Sequence, residues 1–410
     1  MSQSTAATMR GDTDSDVLCE PRLEESSKVK CENVLALRPA LVLGLVVTAG
    51  AAHASVLSDL AAQMNPGEWR ELVTSNFAGM TLPNTPGDGT SPFIEFTDKA
   101  VRNNTTKKIY IMGCARGTDP NAAYRCGNAA GADAGYVTYD EATNSWSRDT
   151  TAPVRSAAHA YDHAALNTAN GDYYYLESEE GLSPKLWKLS GGVWSTLPYP
   201  QSTGSPAVAL EWFPERGVMT LFDGGNGFTP KLHSLTPGGS WSVASVNYQN
   251  MGAETFSRYS AARKLLYFGG GNALGGGTNN GRVLFTQDQA GTITRRADGP
   301  IPMGVGGSGG RMVVDPVTGN LLTFESATPG NGHVFDYDPS KDQWSQMGVH
   351  PLGNSGGQLI GVFTAVQEAG VVFAVTYNSP TSSKVYLYRH AAGTGVALVA
   401  PNPPSGVAAQ

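Results

Sequence analysis

A tryptophan that returns at nearly constant spacing constrains this chain more than any other feature. Asn144-Ser145-Trp146, Gly192-Val193-Trp194, Gly239-Ser240-Trp241 and Asp342-Gln343-Trp344 each follow a turn and a hydrophobic, alternating segment. Their spacings are 48, 47 and 103 residues, and the last is two periods with Ile293 of Gly291-Thr292-Ile293 standing in the missing place. Self-similarity at a period of about 50 residues marks a stacked or toroidal repeat, in which no unit buries its faces alone.

Each unit resolves into four strands. In one of them a small-residue-rich segment, 205–213, turns through Pro214-Glu215-Arg216-Gly217 into the apolar run 218–222. A Gly/Asn loop then leads to an alternating strand, 231–235, and the turn Thr236-Pro237-Gly238-Gly239 leads to the Trp strand. Second strands recur at 173–176, 265–268, 321–324 and 371–375. The last unit ends after 384–389 without a Trp strand, whereas Pro66-Gly67-Glu68-Trp69-Arg70-Glu71-Leu72 is a Trp strand without a unit. A ring in which one terminus completes the blade begun by the other removes the exposed edges. Outer strands at Trp69, Trp146, Trp194, Trp241, Ile293 and Trp344 therefore predict an all-β, six-bladed β-propeller with four-stranded blades. The N-terminal strand completes the last blade. The interval from Trp69 to Trp146 is one blade with an insertion at 113–134.

Glycines after the second strand (Phe268-Gly269-Gly270-Gly271, Phe222-Asp223-Gly224-Gly225), Tyr-Asp after the third (Tyr139-Asp140, Tyr337-Asp338) and Asn/Asp-x-Trp in the fourth resemble the kelch repeat. The pattern is similar to the kelch-like propeller of the galactose-oxidase central domain and covers roughly residues 66 to 390. Kelch glycines and tryptophans are scaffold, so the resemblance implies a fold and is nearly silent on function. The copper-oxidase chemistry of that family is not implied. No cysteine matches the one that cross-links its tyrosine, and the chain ends where the copper-bearing final domain would begin.

Composition agrees with a ring of sheets. The chain holds 50 Gly and only 15% charged residues, against an ordinary charged share of about 25%. Its 40% hydrophobic content excludes disorder as the main state. A net charge of -7 argues against a nucleic-acid partner, since phosphate binding needs a basic footprint.

Residues 40–52 form an almost purely apolar run, followed by Ala52-His53-Ala54 with small residues where signal peptidase requires them. The run is shorter than the roughly 20 apolar residues of a membrane-spanning helix. Export is expected, with cleavage after Ala54, a secreted or periplasmic location and no stable membrane span thereafter. Residues 1–38 carry five basic and seven acidic side chains, unlike a short positive leader, so translation is expected to start further in, near Val29 or Val34. The expected organisation is an N-terminal extension and signal peptide (1–54), the propeller (55–390) and a Gly/Ala/Pro-rich tail (391–410). Cys114 and Cys126 would remain after cleavage. In an exported chain such a pair favours a disulfide, because zinc needs four ligands and neither CxxC nor a His partner accompanies them.

Strand direction alternates within a blade, so the segments entering first strands share one face with the second-to-third connections. The long loops collect there, which makes that face the expected site. The most chemically loaded stretch is 155–163, where period 2 on an innermost strand would align His159, Tyr161 and His163. Such a ladder supplies an acid and a base, or ordinary channel lining. Two His four residues apart on a strand are about 13 Å apart, too far to chelate one ion. Neither a metal nor a cofactor is expected. Arg116, Arg125, Glu254, Tyr248 and Asn272 are candidate ligand-binding residues, of the planar, aromatic and charged types that sugar surfaces use. The expected partner is a polysaccharide or an extracellular protein. The rival reading is an enzyme of the polysaccharide-lyase type, with His159 or His163 as base, Tyr161 as acid and an Arg neutralising a uronate. Trp212, on an innermost strand but off the repeat position, is expected near the axis.

Overall fold

The computed structural model describes residues 55–77, 94, 97–113, 135–149, 160–178, 184–200, 207–225, 228–271, 281–304, 309–327, 330–352, 359, 361–379, 382–391 and 396–397. It opens with a short helix, α1 (Val56–Ala62), whose N-terminal N–H of Ser58 is capped by the Ser55 hydroxyl. Strand β1 (Trp69–Glu71) follows. Four blades come next in chain order: β2 (Val101–Asn103), β3 (Lys108–Gly113), β4 (Gly135–Asp140) and β5 (Ser145–Asp149) form blade I. Blade II is β6 (Ala164–Leu166), β7 (Tyr173–Glu177), β8 (Lys185–Ser190) and β9 (Val193–Leu197). Blade III is β10 (Ala209–Phe213), β11 (Val218–Asp223), β12 (Lys231–Leu235) and β13 (Trp241–Ser245). Blade IV is β14 (Thr255–Ser260), β15 (Leu265–Gly270), β16 (Leu284–Gln287) and β17 (Ile293–Arg295).

Blade V is β18 (Arg311–Val314), β19 (Leu321–Phe324), β20 (His333–Asp338) and β21 (Gln343–Val349). Blade VI is β22 (Gly361–Val366), β23 (Val371–Ser379) and β24 (Ser382–Tyr388), and β1 pairs antiparallel with β24 in the register Trp69↔Tyr388. The expected closure by the N-terminal strand is what the chain does. The C-terminal segment adds something the repeat did not announce: β25 (Val396–Ala397) pairs with Ser345 and Gln346 of β21, as a fifth strand on blade V.

Six hydrophobic clusters fill the six seams between neighbouring blades, and the outer-strand repeat residue of each blade sits in the seam behind it. Trp146 joins the seam between blades VI and I, Trp344 that between IV and V, and Trp69 that between V and VI. Trp194 and Trp241 take the same place in the next two seams, and Ile293 takes it between blades III and IV, filling the position that lacks an indole. Where the indole N–H is inward it reaches the segment leaving the preceding blade's outer strand. Trp146 Nε1 donates to Thr74 Oγ1 at 2.9 Å, Trp241 Nε1 to the Pro198 carbonyl at 2.9 Å and Trp344 Nε1 to the Ala297 carbonyl at 3.2 Å. A ring of this size removes on the order of 150–250 Å² from water, worth several kcal/mol at ~25 cal/mol per Å².

The Tyr of the third strand has a matching task. Tyr139 donates its hydroxyl to Asn144 Oδ1 at 2.8 Å and Tyr337 donates to Asp342 Oδ1 at 2.5 Å. Asn144 and Asp342 stand at φ +48° and +51°, a left-handed turn position that Asn and Asp tolerate, and this turn delivers the Trp two residues later. Glycine is obligatory at Gly270, where φ is +73° and a Cβ would stand 1.8 Å from the Met303 carbonyl oxygen. At Asn103-Asn104-Thr105-Thr106 the Asn103 side chain is buried and accepts the N–H groups of Thr105 and Thr106, which makes the sequence a hairpin.

Candidate functional site

The innermost strand of every blade is an edge strand, so half its backbone groups face the axis without a ladder partner. In this chain charged side chains cover them. Lys99 Nζ donates to the Leu210 carbonyl at 2.5 Å and the Ser257 carbonyl at 3.2 Å, and lies 2.9 Å from Glu211 Oε2. Arg258 donates through Nε to the Met312 carbonyl at 2.9 Å, and its Nη1 is 2.6 Å from Asp162. The carboxylates in turn accept backbone N–H groups: Asp162 Oδ2 from Ser257 at 2.6 Å, Glu211 Oε1 from Trp212 at 3.0 Å and Glu211 Oε2 from Tyr259 at 3.3 Å. Blades I to IV are thereby cross-linked through one charge network in which Lys99 is 4% exposed and Asp162 0%. Each ion is both paired and hydrogen-bonded, which is what lets charge persist at such depth.

Two members of the cluster are served less well. Asp98 is fully buried and lies 3.3 Å from Arg258 Nη2, but among the described residues neither carboxylate oxygen accepts a well-formed hydrogen bond. Burial pushes its carboxyl up to about 6, against the pull of Arg258 and with the help of the neighbouring Asp162 charge. Arg311, on blade V, is buried too; its Nη1 reaches the Gly304 carbonyl at 3.3 Å and its Nε has no partner among the described residues. Burial lowers its pKa while Asp98 and Glu254 oppose that.

The ladder expected at 159–163 is described from Ala160 onward, and there the chain is not a continuous strand. Tyr161 stands at φ +34°, and the His163 N–H bonds the Ala160 carbonyl in a turn, so period 2 does not carry through the segment. Regular strand β6 begins only at Ala164. Tyr161 forms an isolated parallel bridge with Thr97 and packs beside Ala207, whereas the His163 ring is sealed between Tyr161 and Tyr175 at centroid distances of 5.5 and 6.3 Å. Glu254 sits at φ +61° just before β14, its N–H on the Ala207 carbonyl, close to Arg311 at the long-loop end of the axis. Tyr248 lies far from the axis, packed on Phe285 with the Arg295 guanidinium 5.5 Å from its ring. It closes the seam between blades III and IV. His159, Arg116, Arg125, Asn272, Cys114 and Cys126 lie outside the described residues. No group of three or more His, Cys, Asp or Glu among the described residues is placed to hold a metal ion.

The first-strand charges were in view in the sequence as misfits. Glu211 interrupts Ala209-Leu210-Glu211-Trp212-Phe213, and Arg258 and Arg311 do the same in β14 and β18. A charge in the most buried strand of a blade has to find an opposite charge across the axis, and this signal was available.

Among the described residues, two cavities are seen on the face of the short first-to-second hairpins. The larger, about 330 Å³, is a funnel on the axis whose floor is Lys99, Glu211 and Arg258, with Trp212, Tyr259, Phe363, Thr364 and Gln367 in its walls. The smaller, about 180 Å³, lies between blades II and III beside Asp172, Tyr174 and Lys188. Trp212 separates them, stacked on Tyr174 with rings 6.3 Å apart and 3° from parallel. It meets the axis as expected and fills a seam as well.

No family model matches the chain, and no curated protein matches it. Among solved structures it is similar to virginiamycin B lyase from Staphylococcus aureus, at 11% identity over 78% of this chain and 87% of that one, with a TM-score of 0.40. It is also similar to the SapL1 lectin in complex with alpha methyl fucoside (10% identity, 71% of this chain and 96% of that one, TM-score 0.43). A gluconolactonase from Xanthomonas campestris aligns at 12% identity over 58% of this chain and 79% of that one, with a TM-score of 0.36. At these identities the likeness concerns architecture only, which the strand topology establishes by itself.

Proposed function

We propose that this protein is an exported propeller with kelch-like repeats that binds a glycan or an extracellular partner through its long-loop face. The observation that carries the reading is topological. The connections 114–134, 178–184, 224–230, 271–283 and 325–332 all join a second strand to a third, so the antiparallel order of every blade sends them to one face. Rigid blades presenting variable loops are the usual basis of recognition. Phe228 in one of these connections is 67% exposed, an aromatic ring held where a sugar face or an apolar side chain can stack. The charged cluster of Lys99, Asp162, Glu211 and Arg258 is spent on itself and on backbone groups, which leaves the loops to meet a partner.

The lyase alternative needs a base and an acid at the channel mouth. Among the described residues His163 is sealed and Tyr161 is 9% exposed, so neither is offered to a polymer. Export with cleavage after Ala54 and a Cys114–Cys126 disulfide belong to the same proposal; N-terminal sequencing of secreted protein and a thiol count test them. The binding test is retention of the mature chain on immobilised neutral and acidic polysaccharides. Retention that falls about tenfold in Phe228→Ala, a loss of ~1.4 kcal/mol, supports the reading. Retention on none of the panel, or formation of unsaturated sugar ends during incubation, overturns it in favour of an inert scaffold or of a lyase.

A further inference from the structure

The hairpin-face funnel is used by none of this. We propose that it is a separate binding site, on the face opposite the long loops, for an uncharged, hydroxyl-rich ligand about the size of a sugar ring.

Its volume, about 330 Å³, falls at the small end of ligand cavities, which run from roughly 300 to 1,000 Å³. Beneath it lies the ion network of Lys99, Glu211 and Arg258, whose groups are buried or nearly so.

The chemistry of the ligand follows from which groups are already spent. Lys99 has three N–H bonds to give and three acceptors in reach, Glu211 Oε2, the Leu210 carbonyl and the Ser257 carbonyl. Glu211 has both oxygens engaged, by Lys99 and by the N–H groups of Trp212 and Tyr259. Arg258 is committed to Asp162 and to backbone carbonyls. At the rim, Arg102 is clamped between Glu141 at 2.5 Å and Glu368 at 2.6 Å. A charged ligand would lose its hydration and find no counter-charge left to pair with.

The uncommitted groups are neutral. Trp212 Nε1, a donor, and Gln367 Oε1, an acceptor, are both buried without a partner among the described residues. The side chains of Thr168 and Thr364 stand in the same wall, beside the apolar rings of Trp212, Tyr259 and Phe363. Apolar surface with a few placed neutral donors and acceptors suits a pyranose, which presents hydroxyls at its edge and C–H groups on its face. Both residues line the funnel, and in the bound state each orphan atom is expected to take up a ligand hydroxyl.

The test uses saturation-transfer NMR and calorimetry on the mature chain with methyl glucopyranoside, galactopyranoside and mannopyranoside, and with methyl glucuronide. At least one neutral glycoside is expected to bind, with the glucuronide weaker by about tenfold or more. Thr364→Val and Gln367→Leu are each expected to weaken binding by about tenfold with circular dichroism and Tm unchanged, and Trp212→Phe to do so while keeping its stack on Tyr174. Transfer to none of the three neutral glycosides, or equal affinity for the glucuronide, overturns the proposal. So does binding that Phe228→Ala abolishes and Thr364→Val leaves intact. That last result would put the ligand on the long-loop face, ending this inference while preserving the reading of that face.

Discussion

The axis and the seams of this propeller are built by the same six sheets and held by opposite chemistries. Each seam is an apolar cluster with a repeated ring or aliphatic side chain at its outer end, and every blade supplies the same kind of residue. The axis is held by unlike residues, Lys99, Asp162, Glu211, Arg258 and Arg311, each from a first strand or the segment entering it. The difference lies in what each region must satisfy. Between blades two sheet faces meet, and faces want apolar area. At the axis the inner edges meet, and edges present carbonyls and N–H groups that want donors and acceptors.

The largest test of that contrast is at Arg258. Arg258→Ala takes the nearest cation from buried Asp98 and Asp162, leaving Asp162 only Lys99 at 3.8 Å, and is expected to cost about 3–5 kcal/mol or to prevent folding, the range for a broken buried pair. Urea unfolding of wild type and variant measures it, and a cost near zero would show that water fills the axis. Trp146→Ala tests the seam and is expected to cost about 3–5 kcal/mol, because a fully buried ring leaves a cavity. The same substitution at half-exposed Trp194 is expected to cost clearly less; equal costs would break the account of the repeat as a seam filler.

The pH dependence separates the two regions further. The Asp98 carboxyl titrates near 6 in the fold, above its ordinary 3.8, so the folded state keeps a proton that the unfolded chain has released. Its contribution to stability is full below about pH 4 and is lost as pH rises to about 6. Buried His233 and His350 are pushed down to about 4, and their contribution runs the other way, present above pH 6.5 and lost on acidification. Asp98→Asn is therefore expected to stabilise the protein at pH 7, by at most about 3 kcal/mol, and to steepen the loss of stability between pH 6 and 4. Urea midpoints measured across that window decide it, and an unchanged slope would place Asp98 in contact with water. The smallest effect is expected from Tyr337→Phe, about 1 kcal/mol for the lost bond to Asp342. Thermal unfolding should show the same small loss for Tyr139→Phe, since the two turns are equivalent.

The seams were legible because they repeat. Trp146, Trp194, Trp241 and Trp344 announce a period, Ile293 is recoverable from that period, and Trp69 finds its blade because the last unit lacks an outer strand. The added strand at Val396–Ala397 was not legible, since nothing in a tail of small residues says which of six open edges it will join. The candidate site was legible least. His159, Tyr161 and His163 read as a ladder only if the chain is straight, and Tyr161 combines a positive φ with a bridge to Thr97, far away in sequence.

The sequence by itself determined the architecture: the number of blades, the order of strands within each, and the closure of the ring. Those follow from local period and turn chemistry, which act over a few residues and are written once per unit. Only the tertiary structure decided which charges meet on the axis. Lys99 bonds the Ser257 carbonyl 158 residues away and Arg258 pairs with Asp162 96 residues away, and although these intervals follow the repeat, the repeat does not say which charge each first strand carries. Such pairs are selected by burial, which makes an unmatched charge too costly to keep, and burial is a property of the closed ring.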